Sequence, residues 1–242
     1  GNPTGLGNLI IGYNELRNDP TGVNAECSSG QYDNQTDCIN NGHIWASNHR
    51  SGSHSLVMGR SQNYSQTSNV LFGTDNTTNG PQATVTGGAG HKSRGLATSV
   101  SGGFLNTAIN QYDSVSGGRS NIASGFWSSI SGGFFNQANG LSSSVVGGRD
   151  NSTNGSHAVV VGGRNHQAIA DQSVIVGGSG NTVTATRSVV VGGQSNDSGG
   201  NSENVVVGGQ SNGISGNPAR AVVVGGVNMD YASDNSFGVL LP

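Results

Sequence analysis

The chain holds a single lysine, Lys92, among 242 residues, and only 10% of its residues are charged. With a net charge of −3 it has no basic stripe to meet a phosphate backbone, which excludes nucleic acid as a partner. Hydrophobic residues make up 32% and aromatic residues 5%, less than an ordinary globular core of this length requires. No apolar run approaches the roughly 20 residues of a membrane-spanning helix, so no membrane insertion by this stretch is expected. No charged-then-apolar signal segment opens it, and an anchor or export signal is expected to lie outside it. Cysteine is limited to Cys27 and Cys38. No second Cys or His pair stands at zinc-finger spacing, so a disulfide closing the loop CSSGQYDNQTDC is expected, with two unpaired thiols as the alternative. A disulfide would favour an oxidising, extracellular setting.

Glycine is abundant instead, at 42 residues, and it is periodic. Marker glycines fall at Gly59, Gly73, Gly87, Gly102, Gly117, Gly132, Gly147, Gly162, Gly177, Gly192, Gly208 and Gly225. The steps are 14, 14, then 15 seven times, then 16 and 17. A fixed short period is the signature of a solenoid, and the glycine density excludes helix. Two positions before each marker stands an apolar residue, from Val57 through Val115 and Ile130 to Val223. Its neighbours are Ser and Ser around Val100, Val115 and Ile130, but Val and Val from Val159/Val161 to Val222/Val224. Strand neighbours point to opposite faces, so the middle residue faces one side in every unit. We expect it inside the coil and the flanking pair toward partner chains; the opposite assignment stays open. The Val-flanked face would be a continuous apolar stripe, and such a stripe marks an interface.

Turns follow the strand. Gly-Gly permits positive φ, and Asn tolerates a left-handed backbone and can cap a turn with its amide, so Gly117, Gly118 and Asn121, like Gly132, Gly133 and Asn136, are expected to be structural turn residues. The fold expected is all-β, a parallel β-solenoid of about 15-residue coils packed as a side-by-side homotrimer. NLIIGYN gives a first coil at 1–14, followed by a Cys-bearing insertion or cap at 15–54, repeats at 55–230 and a C-terminal tail leading out of the roll at 231–242.

The phrase SVSGGRSNIASGFWS, Ser114 to Ser128, resembles the head repeat of trimeric autotransporter adhesins, the YadA-like left-handed parallel β-roll, and of related bacterial and phage fibres. The resemblance covers roughly 55–230. It departs in its glycine doublet and in steps mostly of 15 rather than 14. It implies three chains about a three-fold axis, anchored at a cell surface through a segment outside this one. It also implies a surface that binds a host- or prey-cell ligand, glycan or protein. A phage-type tail fibre and a purely structural spacer are the alternatives.

Motifs for chemistry are few. TGGAGHKSRG imitates a phosphate loop, but His91 stands where Gly must precede Lys. No serine sits in a nucleophile elbow and no carboxylate pair suggests hydrolysis. We therefore expect no enzyme activity, no catalytic residue, no metal site and no cofactor. Two features are candidates for ligand contact. One is the set Phe104, Arg119, Phe126, Trp127, Phe134 and Arg149, for which packing between chains is the plainer reading. The other is Tyr32, His43 and Trp45 on the insertion, which could instead cap the roll.

Overall fold

The computed structural model describes residues 4–12, 15–18, 25–216 and 220–231, and the backbone of 237–239. The protein is an all-β parallel solenoid of about 12 turns with coils of about 15 residues. Its one helix among the described residues is Gln35–Asn40, in the insertion. It falls into two compact units, Gly1–Trp127 and Ser128–Pro242.

In the first unit one parallel ladder runs through Leu9–Ile11, Leu56–Arg60, Val70–Thr74, Thr84–Val85, Ser99–Val100 and Ser114–Val115. A second ladder of return strands runs through Asn63–Tyr64, Thr77–Thr78, Lys92–Ser93, Thr107–Ala108 and Ile122–Ala123. The second unit repeats the scheme. Its first ladder includes Ser144–Val145, Val159–Val161, Val174–Val176 and Val189–Val191, and its return ladder includes Ser152–Thr153, Gln167–Ala168 and Thr182–Val183. Phe237–Val239 pairs in register with Val222–Val224. Of the stretch 231–242, residues 232–236 and 240–242 lie outside the described residues, as do 1–3 and 13–14 of the first coil.

The strand triplet is oriented as its alternation requires. From Val57 to Val223 the middle residue is at most 2% exposed, while Val161, Val176 and Val191 beside it are 38–39% exposed. Ile10 is 37% exposed because it sits in the outermost strand of its ladder. Opposite these residues the return strands place small ones, Ala108, Ala123, Ala138 and Ala168, all fully buried. The interior is therefore only one apolar pair thick, and apolar burial alone is a weak source of stability.

Polar ladders supply the rest, and of the two roles open to Asn, left-handed backbone and turn-capping amide, the structure shows the amide. Asn106, Asn121 and Asn136 are not left-handed turn residues; they are fully buried and stacked. Asn106 Nδ2 donates to the Gly102 carbonyl of its own coil at 2.9 Å and to the Gly118 carbonyl of the next at 3.0 Å. Its Oδ1 accepts the Asn121 backbone N–H at 3.0 Å. The same pattern joins Asn136 to Asn151, Asn181 to Asn196 and Asn196 to Asn212. The side chain thus satisfies the buried backbone that a tight corner leaves without a strand partner.

The glycine doublet also divides its labour. Gly118 and Gly133 have φ of +83° and +90°, whereas Gly117 and Gly132 do not enter the positive region. A Cβ on Gly133 would lie 2.2 Å from the Gly148 carbonyl oxygen and 2.5 Å from Asn136 Nδ2; on Gly132 it would meet nothing within 4 Å. So it is the second glycine that permits the Asn ladder to close on the backbone. In the Val-flanked coils the first glycine turns positive as well, as at Gly162 and Gly177.

Gly133→Ala should therefore lower stability by about 2 kcal/mol or more, and Gly132→Ala should change it by less than about 1 kcal/mol, in thermal or urea unfolding. A second expectation concerns His91 and His166, which occupy the Asn column, four residues after the marker, and are fully buried. Each Nδ1 accepts a backbone N–H, from Asn106 at 3.0 Å and Asn181 at 3.1 Å, so the proton sits on Nε2, facing the Gly103 and Gly178 carbonyls. Burial, which disfavours the charged ring, pushes both imidazoles below their ordinary value of 6.5. The unfolded chain then takes up protons first as the pH falls. The contribution is complete above pH 6.5 and is lost below it, at up to about 1.4 kcal/mol per pH unit for each histidine. Melting temperatures from pH 8 to 4.5 should fall less in His91→Asn/His166→Asn, where the ladder residue is restored, than in the unaltered chain.

Candidate functional site

The segment between Ile11 and Arg50 leaves the first coil after strand Leu9–Ile11 and returns where Arg50 bridges Tyr64. It has no period, and local devices hold it. Asn34 caps the short helix, its Oδ1 accepting the Asp37 N–H at 2.9 Å. Cys38 on that helix is disulfide-bonded to Cys27, both fully buried, with Cα atoms 5.6 Å apart. Glu26–Cys27 pairs antiparallel with Trp45–Ala46.

This loop docks on the return ladder of the first coils. Lys92 Nζ lies 2.6 Å from Glu26 Oε1. Asn79 Nδ2 donates to the Cys27 carbonyl at 2.9 Å, and the Gly30 N–H donates to the Asn79 carbonyl at 3.0 Å. Ser65 and Gln66 both donate to the Ser28 carbonyl, at 2.7 and 2.8 Å. Arg94 donates to the Tyr32 carbonyl at 3.1 Å and pairs with Asp33. Gly30 is required by this approach, since a Cβ there would lie 2.0 Å from the Arg94 carbonyl oxygen.

Docking leaves a cleft of about 600 Å³ between loop and roll. The loop contributes Gln31, Asp33 and His43; the roll contributes Gln66, Arg94, Asn110, Gln111 and Phe126. Tyr32 backs His43, with ring centroids 5.5 Å apart. A second cleft of about 560 Å³, with Leu16 and Arg17 on one wall, reaches Leu105 and Phe104.

The structure thus brings Tyr32, His43 and Phe126 to one place. Trp127 adjoins Phe126 at 6.3 Å and stacks on Tyr112 at 6.0 Å with planes 6° apart. Trp45 does not line this cleft; it is half-buried in its pair with Cys27. Phe104 lines the other cleft, with the Arg119 guanidinium 5.5 Å over its ring. Phe134 and Arg149 belong to the second unit and form their own pair at 5.6 Å, with Phe135 tilted against Phe134 at 4.2 Å.

Sequence reasoning missed Tyr112, Arg94, Asn110 and Gln111. It also missed the backbone at the aromatic corners. Each coil has two left-handed corners besides its glycines, and Leu105, Tyr112, Trp127 and Phe135 occupy them at φ of +55° to +61°. A residue with a Cβ is held there at a cost of about 1–2 kcal/mol. Equivalent corners elsewhere carry Ser68, Ser120, Asp150 and Asn165, whose small polar side chains suit them better. Packing within the chain does not bury these bulky residues, which are 46–56% exposed.

Among the described residues no group of three or more His, Cys, Asp or Glu is placed to hold a metal ion. No protein-family model matches this chain, and no curated protein matches it.

Arg94→Ala should loosen the loop around Tyr32 and Asp33 against the roll, because one guanidinium holds both the Tyr32 carbonyl and Asp33. Limited proteolysis followed by mass spectrometry should then cut faster between residues 28 and 44 than in the unaltered protein, with cuts elsewhere unchanged.

Proposed function

We propose that this chain is a non-enzymatic, extracellular fibre head that assembles as a homotrimer and binds a cell-surface ligand, glycan or protein, in the manner of the YadA-like adhesins it resembles. The observation that carries the reading is the outward valine column. Val161, Val176, Val191 and Val207 stand in register on successive coils, 37–39% exposed, on a face that the coil's own interior does not use. Stacking repeats an apolar side chain about every 4.8 Å, and a second and third copy supply the cover that one chain lacks. The disulfide agrees with an oxidising location. The docked loop and its cleft support recognition over a plain spacer, because a spacer has no use for a stapled loop on its side.

Light scattering on the purified chain should give three times 24.3 kDa. Val176→Ser should weaken assembly by roughly 1 kcal/mol per chain without disturbing the coil, since its side chain points outward. A monomer with native β-type circular dichroism would overturn the trimer.

A further inference from the structure

We propose that the cleft beside Phe126, continued over Tyr112 and Trp127, binds a neutral carbohydrate chain. This rests on the surface-binding role above and gives it a site and a ligand class.

The first observation is the aromatic pair. Tyr112 and Trp127 hold left-handed corners that other coils fill with Ser68, Gln82 or Ala97, yet they lie 48% and 56% exposed. Coil stacking fixes them: the Tyr112 N–H donates to the Leu96 carbonyl at 3.0 Å and the Trp127 N–H to the Gln111 carbonyl at 3.1 Å. Two parallel rings, pinned by backbone and open to solvent, suit the C–H faces of pyranose rings, which need flat apolar partners.

The second observation is the polar lining. Gln31, Gln66, Asn110 and Gln111 bring four amides to one cleft. An amide both donates and accepts, as a sugar hydroxyl does. Two of them are pre-oriented: Gln66 donates to the Ser28 carbonyl and Asn110 to the Ser124 carbonyl, which leaves each amide oxygen as the acceptor. A pocket of this size with one aromatic wall and a few placed polar groups is the usual form of a small-ligand site.

The third observation is charge. The one guanidinium in the cleft, Arg94, is already matched by Asp33 and the Tyr32 carbonyl. Among the described lining residues no other fixed positive charge faces the cleft, His43 being the one further group able to carry one, so a neutral ligand fits better than a sulfated or phosphorylated one.

The chain has two tryptophans, so in a Trp45→Phe background Trp127 is the only indole. Its fluorescence is titrated with linear hexasaccharides of glucose, mannose, galactose and N-acetylglucosamine, and with heparin. At least one neutral hexasaccharide should saturate the signal with Kd below about 1 mM. That binding should be unchanged between about 0.05 and 0.5 M salt, as an uncharged contact requires. Phe126→Ala and Gln111→Ala, both at exposed positions, should each weaken it at least about tenfold while circular dichroism stays the same. The proposal is overturned if no neutral hexasaccharide acts up to about 10 mM, if heparin alone binds and salt removes it, or if both variants bind like the parent. The same protein is also applied to surfaces coated with matrix proteins. Retention there without any saccharide response leaves the surface-binding role standing and removes this site. Saccharide binding by a monomer removes the trimer and leaves the site.

Discussion

The buried amide ladder is the constraint on which the remaining structure depends. A coil of about 15 residues must turn tightly, and each turn strands backbone donors and acceptors away from the sheet ladders. Asn106, Asn136, Asn181 and Asn196 answer this from inside the coil, bonding backward to the marker glycine's carbonyl and forward to the next coil. In water such bonds contribute little net stability, but leaving them unmade in a dry interior is expensive. The ladder therefore specifies register as much as it stabilises. One amide fits only if the coil above is one repeat further along.

Register then positions what faces outward. With coils locked in phase, the residue one before the marker forms a column, and from Val146 onward that column is valine. The residues at the left-handed corners form columns too, so Tyr112 and Trp127 become a parallel pair without any contact designed for the purpose. The loop uses the same regularity: it grips Ser65, Asn79 and Arg94, which belong to successive coils on one side of the roll. A rigid repeating scaffold supplies positions, and departures from the repeat supply chemistry.

The columns were legible because period and alternation are properties of sequence alone. Val115 and Ile130 could be assigned to one face, and the solenoid followed. The role of Asn121 was half legible. Its period was plain, but an Asn beside glycines serves either as a left-handed corner or as a buried amide, and only burial separates the two. His91 and His166 carried a usable signal, since both stand four residues after a marker, in the Asn column. The division between Gly132 and Gly133 was not legible, because both are glycine and only the closeness of the next coil distinguishes them. Nor were the corners at Tyr112 and Trp127, whose column accepts Ser, Gln, Ala and Arg and so shows no pattern. The cleft lay furthest from view. It depends on where an aperiodic loop lands on a periodic surface; His43 and Phe126 were legible as candidates, but not that they would meet.

The claim that side-chain amides hold coil to coil is tested most directly by hydrogen exchange at one rung. The Asn196 backbone N–H donates to Asn181 Oδ1 at 2.9 Å inside a buried column. Asn181→Ala should speed exchange at Asn196 by at least about tenfold, the effect of losing one buried bond of about 1.4 kcal/mol. Ser195→Ala, at an exposed corner beside it, should leave that rate unchanged. Equal protection of Asn196 in Asn181→Ala and the parent would show that the coils are held by something other than the ladder.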